Sequence, residues 1–242
     1  MESVYSLRSA KLSGDAIRKK IFKKEYHSKR LGSAILQYRL RRRIEEIERA
    51  ILNNCHNTNK LICLDVGASD GLMLSKLRKR LSFKESIGVD IAKDLIVLNK
   101  DKQINLHYGD IEKKLAYPNE SFDIIYLAGT LEYLEEPERA LFECQRLLKR
   151  NGLIIITTPN PLYVKLGKLI KYDFTCGHNI NFFSIAKLKD MLSSSNFQVV
   201  QARYFMLNPF FCLPFESIIE KGLVMLGLGR IMTNQIVVAR KK

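Results

Sequence analysis

The chain has 242 residues, of which 46% are hydrophobic and 27% are charged, and this composition is that of an ordinary globular protein. Its five cysteines include no Cys-x-x-Cys pair, which argues against a disulfide framework and against a zinc site. The sequence has neither the apolar core of a signal peptide nor an apolar stretch of about 18 residues. We therefore expect a cytoplasmic protein that does not span a membrane.

The formal net charge of +15 is spread unevenly along the chain. Residues 1–50 contain 14 Lys and Arg but only six Asp and Glu. Such a basic segment attracts polyanions, which include nucleic acid, acidic lipid headgroups and phosphorylated substrates.

The pattern over residues 1–58 predicts a basic helical extension that could act as a lid. Residues 1–30 are only weakly periodic, with a helical pattern near Asp15–Tyr26. Residues 33–52 have apolar side chains every three or four positions, and Ser33 can cap the N-terminus of the helix that this spacing predicts. A polar break then separates this extension from a domain over residues 59–242.

Residues 59–242 alternate between apolar strand patterns and amphipathic helix patterns. Strands are expected at 61–66, 86–90, 104–108, 122–128 and 153–158, and helices at 71–81, 93–101 and 137–152. Further on, helices are expected at 162–171 and 184–195, and two final strands at 198–206 and 234–240. This order predicts an α/β fold with a Rossmann-like, doubly wound, mostly parallel sheet of about seven strands that ends in an antiparallel pair. An unusually apolar insertion, residues 207–232, interrupts that pair.

The segment from Asp65 to Gly71 ends the first strand and opens the first helix of this domain. In open α/β sheets, ligands bind beyond the carboxyl ends of the strands. Gly67 lets a ligand approach the backbone, and the Gly-x-Ser-x-Gly spacing differs from the Gly-x-Gly-x-x-Gly of dinucleotide binders. Asp65 favours a ligand with a cationic amino group over a pyrophosphate, which prefers bare helix N-terminal amides.

Two further acids follow strands of the same predicted sheet. Asp90 ends the second strand, 19 residues after Gly71, where its carboxylate can accept hydrogen bonds from two ribose hydroxyls. Asp110 follows the third strand and can reach the amino group of an adenine.

Together with SFDIIYLAGTLEYLEEPERALFECQRLLKRNGL at 121–153, these residues resemble the class I S-adenosylmethionine-dependent methyltransferases, in the subgroup of small-molecule and lipid-type enzymes. The resemblance covers roughly residues 60–200. It places Ser69 where the family has a middle glycine, and serine fits there if its φ stays negative. The resemblance implies S-adenosylmethionine as the cofactor, and we expect no metal site. The cofactor-binding residues that it implies are Asp65, Gly67, Ala68, Ser69, Gly71, Asp90, Ile91, Gly109, Asp110, Ile111, Leu127, Ala128 and Leu131.

Catalytic candidates lie in two places. His178 precedes a Phe-Ser pair, as a histidine does in many members of the family, and it could remove a proton from a hydroxyl nucleophile. It could equally cap a neighbouring loop. Tyr133 stands where the family often has a histidine. Its neighbour Glu132 either faces the methyl donor or caps the following helix.

The acceptor is a separate question, because fold does not determine substrate. The first hypothesis is an oxygen or carbon atom on a small or lipid-linked molecule, such as a sugar or an isoprenoid. Residues 207–232 would cap the substrate mouth and touch an acidic membrane surface, with core packing or a dimer contact as alternatives. An RNA methyltransferase is the runner-up, favoured by the charge but not by LAGTL after the fourth strand, where such enzymes have an NPPY-type motif. A non-catalytic interaction subunit is the third reading, and the oligomeric state stays open.

Overall fold

The computed structural model describes residues 24–169, 181–210 and 215–242. Its strands are β1 (Ile62–Val66), β2 (Glu85–Asp90), β3 (Asn105–Tyr108), β4 (Phe122–Ala128), β5 (Leu148–Pro159), β6 (Phe197–Phe205) and β7 (Asn234–Lys241). They form one sheet in the order β3-β2-β1-β4-β5-β7-β6. The first five strands are mutually parallel, and β7 runs antiparallel to both β5 and β6. The predicted Rossmann-like sheet with an antiparallel final pair is thereby confirmed.

Eight α-helices accompany these strands in the described ranges. They are α1 (Lys24–Gly32), α2 (Ala34–Asn54), α3 (Leu72–Leu81), α4 (Lys93–Ile96), α5 (Pro137–Leu147), α6 (Pro161–Leu169), α7 (Ile185–Ser194) and α8 (Glu216–Met225). Ser33 caps α2 as predicted, since its Oγ accepts a hydrogen bond from the Leu36 N–H at 3.3 Å. Ser184 caps α7 in the same way, at 3.2 Å from the Lys187 nitrogen.

Side chains of the central strands alternate between two apolar layers, as a strand covered on both faces requires. In β4, Ile125 and Leu127 pack into the layer that contains α5 and α7. Ile124 and Tyr126 pack into the opposite layer, which contains α2 and α3. Because Ile47 and other side chains of α2 belong to this second layer, α2 shares the core of the sheet domain.

Two helices end earlier than the sequence pattern predicts. α4 ends at Ile96 instead of continuing to Asp101, because side chains take over the backbone hydrogen bonding beyond it. Asn99 Oδ1 accepts from the Asp101 N–H at 3.0 Å, and Asp101 Oδ1 accepts from the Gln103 N–H at 2.9 Å. α5 ends at Leu147, since the next residue already pairs with the first residue of β4. Of the helical pattern near residues 15–26, the part before residue 24 lies outside the described residues.

Helix α8, within the apolar insertion, lies against α2 through its acidic side chains. The Tyr38 hydroxyl donates a hydrogen bond to Glu216 at 2.5 Å, and Arg42 Nη2 donates to Glu220 Oε2 at 2.5 Å. Both carboxylates are buried. The apolar side chains around α8 are instead exposed to solvent, and they form what we call the exposed apolar surface: Phe215, Ile218, Ile219, Val224, Met225, Leu226, Leu228 and Ile231. None of the described helices is long and apolar enough to cross a membrane.

Candidate functional site

The loop after β1 has a backbone that requires glycine at two positions. Gly67 and Gly71 have φ values of +81° and +75°. A β-carbon at Gly67 would lie 2.3 Å from Thr130 Oγ1, so the loop and the end of β4 approach more closely than any side chain would allow. Ser69 has φ +56°, which corrects the expectation of a negative φ. A left-handed serine costs about 1–2 kcal/mol, and the hydrogen bond from the Ser69 N–H to Asp90 holds it in place.

Asp90 fixes this loop from the end of β2. Its Oδ2 accepts a hydrogen bond from the Ser69 N–H at 2.7 Å, and its Oδ1 accepts one from the Ala92 N–H at 2.7 Å. Burial raises the pKa of the Asp90 carboxyl. Each carboxylate oxygen keeps a second lone pair, so Asp90 can accept further hydrogen bonds from a ligand while it holds the loop.

A cavity of about 340 Å³ opens beyond the carboxyl ends of the parallel strands, between the glycine loop and helix α2. Most of the residues predicted to bind the cofactor or act on the acceptor line it: Asp65, Gly67, Ala68, Ser69, Asp90, Ile91, Gly109, Asp110, Ile111, Ala128 and Tyr133. Gly71, the residue just before α3, instead packs against the side chain of Ile104. Leu127 and Leu131 are fully buried in the core, and the neighbouring Gly129 and Thr130 reach the cavity in their place.

Asp65 is buried at the end of β1, and its Oδ2 has no hydrogen-bond partner among the described residues. Burial raises the pKa of this carboxyl to about 8. A ligand ammonium group would supply the missing partner and favour the ionised form. Asp65, the open Gly67 backbone and Asp90 therefore fit the amino-acid end and the ribose of S-adenosylmethionine. Asp110, the third predicted acid, also lines the cavity. Its Oδ1 accepts a hydrogen bond from the Glu112 N–H at 3.1 Å.

Helix α1 lies next to the glycine loop. His27 and Arg30 both hydrogen-bond to the carboxylate of Asp70, the loop residue between Ser69 and Gly71. The Arg30 guanidinium holds the pKa of Asp70 below its usual range, although burial acts in the opposite direction. Because Arg30 also lines the cavity, this contact brings the basic N-terminal helices onto the cofactor side of the site.

Helix α2, part of the basic segment that the sequence predicts to attract polyanions, supplies the basic side of the cavity. Arg39 and Arg43 line it, and their spacing of four residues places both on one helical face. Arg39 Nε donates a hydrogen bond to the Pro209 carbonyl at 2.9 Å. Arg43 Nε is buried without a hydrogen-bond partner in the part of the chain that the structure describes. The helical periodicity of 33–52 could have indicated this face, but not that it lies over the strand ends.

Glu132 is the carboxylate on the opposite wall. Its side chain is buried, lines the cavity, and has an Oε2 without a hydrogen-bond partner among the described residues. Burial raises the pKa of this carboxyl to about 7, and the charge of Arg43 moderates the increase. Helix α5 begins five residues later without a side-chain cap, so Glu132 does not cap it. Of the two catalytic candidates, Tyr133 lines the cavity and His178 lies outside the described residues.

A sequence model of a methyltransferase domain matches residues 34–202. The mitochondrial ubiquinone biosynthesis O-methyltransferase of Candida albicans is 25% identical over 223 residues, which cover 81% of this chain and 66% of that protein. Among solved structures, one match is a chain in the complex between the Haloferax volcanii Trm112 methyltransferase activator and a methyltransferase. The match has a TM-score of 0.67 at 14% identity and covers 93% of this chain and 96% of that chain. An S-adenosylmethionine-dependent methyltransferase from Thermotoga maritima matches with a TM-score of 0.62 at 20% identity, covering 94% of this chain and 99% of that chain. At these identities the structural matches establish the fold.

The curated relatives extend beyond the region that they share with this chain. The chain spans 66%, 40%, 65% and 37% of the lengths of the first four.

Proposed function

Because the chain belongs to the methyltransferase-domain family, among the class I S-adenosylmethionine-dependent methyltransferases, we propose that it methylates an oxygen or carbon atom of a small or lipid-linked acceptor, such as a sugar or an isoprenoid-like molecule. The observation that carries the proposal is the division of one cavity into two chemically different halves. One half presents Asp65 and Asp90 beside an open glycine loop, and the other presents Glu132 and Tyr133 beside apolar and basic side chains.

In the first half, each acid has a distinct task. Asp65 would bind the amino group of S-adenosylmethionine, Asp90 the ribose hydroxyls, and Asp110 the adenine amino group. The bound cofactor supplies a methyl group that is already activated by a positively charged sulfur. The protein's main contribution is therefore alignment of donor and acceptor, which the backbone at Ala128 and Gly129 would provide.

In the second half, a hydroxyl acceptor has to lose its proton while its oxygen bonds to the methyl carbon and the sulfur–carbon electron pair stays on sulfur. Glu132 Oε2 is placed to accept that proton, because it lines the cavity and has no other hydrogen-bond partner among the described residues. A pKa of about 7 suits a general base at neutral pH. Tyr133 would orient the hydroxyl, and the role of His178 stays a prediction.

A lipid-linked acceptor is supported by the exposed apolar surface around α8. This surface adjoins the cavity, since Pro209 lines the cavity and Leu207 donates its N–H to Glu220 of α8 at 2.9 Å. The two acids of α8 are buried, so the exposed charges here are those of Lys221 and Arg230. An apolar surface with basic residues fits an acidic membrane surface. The helical extension over 1–58 would then close the cavity from the other side.

Relatives support an oxygen acceptor in particular, because the Candida albicans protein and a Coxiella burnetii protein 34% identical over 103 residues are both named ubiquinone biosynthesis O-methyltransferases. The net charge of +15 favours the second candidate, an RNA methyltransferase. A non-catalytic interaction subunit is the third, and the intact acids at the cofactor half count against it.

Two measurements test the proposal. The first is calorimetric titration with S-adenosylhomocysteine of the wild type, Asp90→Asn, and Asp94→Asn, which changes an exposed acid at the start of α4. We expect binding to weaken roughly tenfold or more in Asp90→Asn and to stay unchanged in Asp94→Asn. Absence of binding by folded wild type would favour the non-catalytic subunit.

The second measurement identifies the acceptor class. The protein is incubated with methyl-tritiated S-adenosylmethionine and either the lipid extract or the total RNA of the source cells. Label in the organic phase that survives mild alkali, as a methyl ether or a C-methyl group does, supports the proposal. Label in RNA, with a steep dependence on salt, would replace it with the second candidate.

A further inference from the structure

Three arginines line the cavity, and they differ in how their charges are matched. Arg30 is paired with the Asp70 carboxylate, and Arg39 donates to the Pro209 carbonyl. Arg43 has no carboxylate within ion-pair distance in the described part of the chain, and its Nε is buried without a hydrogen-bond partner there. A buried cationic group whose N–H donors lack acceptors destabilises the folded protein unless a ligand or a water molecule accepts their hydrogen bonds.

The position of Arg43 places its guanidinium where an acceptor has to bind. A β-carbon on Gly129 would lie 2.7 Å from Arg43 Nη1, so the guanidinium rests on the backbone at the end of β4. Glu132, three residues after Gly129, has a carboxylate oxygen, Oε2, without a hydrogen-bond partner among the described residues. The charge of Arg43 lowers the pKa of Glu132, although the two side chains form no ion pair within 4.0 Å.

A third polar atom without a partner in the described part of the chain lies at the β5 edge of the cavity, where Asn234 pairs with Pro159. The Oδ1 of Asn234 is buried without a partner among the described residues, and Asn234 lines the cavity. The acceptor half thus offers two oxygens that accept hydrogen bonds and one planar cation that donates them. Hydroxyl groups satisfy the oxygens, but only an anionic oxygen matches the guanidinium in both charge and geometry.

We propose that the methyl acceptor carries an acidic group, a carboxylate or a phosphate, which binds to Arg43 while the hydroxyl to be methylated faces Glu132. This inference rests on the proposed function and specifies its substrate class. A charge-assisted hydrogen bond to a partly buried guanidinium contributes enough to discriminate an acid from its neutral analogue by roughly 10- to 100-fold. Arg43 acts as a binding and positioning residue in this scheme.

The test uses the full chain saturated with S-adenosylhomocysteine and three probes that share an aromatic ring: benzoate, phenyl phosphate and benzyl alcohol. Calorimetry or ligand-observed NMR gives each dissociation constant. We expect at least one acid to bind roughly tenfold or more tightly than benzyl alcohol, and the better acid identifies the group as carboxylate or phosphate. The preference should disappear in Arg43→Gln, return in part in Arg43→Lys, and persist in Arg41→Gln, which removes an exposed charge from the same helix.

The proposal is overturned if benzyl alcohol binds as tightly as both acids, if neither acid binds in the millimolar range, or if Arg43→Gln retains the preference. Should Arg43→Gln fail to fold, the wild-type comparison and Arg43→Lys still decide. Loss of S-adenosylhomocysteine binding by the wild type would instead contradict the proposed function. The probes titrated into the free protein would then still test Arg43.

Discussion

Arg42 of α2 and Glu220 of α8 are 178 residues apart in the chain, and they form a buried ion pair at 2.5 Å. The pair explains why α8 has its polar face inward and its apolar face outward. The Tyr38–Glu216 hydrogen bond joins the same two helices, and burial beside Glu216 raises the pKa of the Tyr38 hydroxyl. The exposed apolar surface therefore results from specific polar contacts and not from the absence of packing partners.

Removing the charge of Glu220 should destabilise the protein. Glu220→Gln keeps the oxygen that accepts from the Leu207 N–H, but it leaves the buried Arg42 guanidinium with weaker partners. We expect the free energy of unfolding to fall by about 1–3 kcal/mol, measured by urea denaturation. Glu45→Gln removes a partly exposed partner of the same arginine and should cost less than about 1 kcal/mol. Equal losses in the two variants would contradict this account of how α8 is held.

Gly67→Ala should disrupt the cofactor site. The new β-carbon would lie 2.3 Å from Thr130 Oγ1, and alanine at φ +81° is strained even where space is available. We expect at least a tenfold weaker binding of S-adenosylhomocysteine and a loss of about 2 kcal/mol or more in stability. Gly222→Ala is the matched control, because a β-carbon there meets nothing within 4 Å and α8 should gain about 0.5–1 kcal/mol. A wild-type affinity in Gly67→Ala would show that the loop does not approach the ligand closely.

The cofactor half of the site could be predicted from the sequence, whereas the acceptor half could be predicted only in part, at Glu132 and Tyr133. Asp90 ends β2 and Asp65 is the penultimate residue of β1, and parallel strands bring their carboxyl ends to one edge, so the local pattern sufficed. Arg43 and Glu132 line one cavity only because α2 packs over the sheet, and this packing depends on contacts between residues far apart in the chain. The early end of α4 does not follow from the helical periodicity, because the side chains of Asn99 and Asp101 compete locally with the helix for backbone hydrogen bonds.

Cofactor binding should weaken as the pH falls, because Asp65 has to be ionised to bind an ammonium group. Its pKa of about 8 in the free protein means that it is protonated below that pH. We expect the affinity for S-adenosylhomocysteine to fall by up to about tenfold per pH unit between pH 8 and 6. The Asp65→Asn variant should bind more weakly and with a flatter pH profile. The ligand's own titration is common to both proteins and cancels in the ratio of their dissociation constants.

The same carboxyl should affect the stability of the free protein in the opposite sense. Its folded-state pKa lies above the ordinary value of 3.8, so the folded chain binds more protons than the unfolded chain between about pH 4 and pH 8. The stability that protonated Asp65 contributes is therefore complete below about pH 4 and is lost as the pH rises through about 8. Melting temperatures should show that Asp65→Asn stabilises the free protein more at pH 8 than at pH 5. If the difference in melting temperature between Asp65→Asn and the wild type is the same at pH 5 and pH 8, Asp65 is ionised over this whole range.

The exposed apolar surface should bind lipid bilayers, because its Met225 and Leu226 side chains are 87% and 74% exposed. We expect the wild type to float with vesicles of phosphatidylglycerol and phosphatidylcholine and the Met225→Ser/Leu226→Ser variant to float much less. Each buried side chain of this size contributes about 1.5–3 kcal/mol, so the double change should lower the partition coefficient by 100-fold or more. Neither side chain packs in the core, so melting temperature should not change.

Val97→Ser provides the matched control, since this side chain is 72% exposed on α4's C-terminal side and lies outside the apolar surface. It should float as the wild type does. Basic residues should add attraction only to anionic lipid, so replacing phosphatidylglycerol with phosphatidylcholine should weaken flotation, as should raising the salt concentration. If the double variant floats like the wild type, the surface is not the membrane contact. If instead the molecular mass of the wild type increases with protein concentration and that of the double variant does not, the surface mediates self-association.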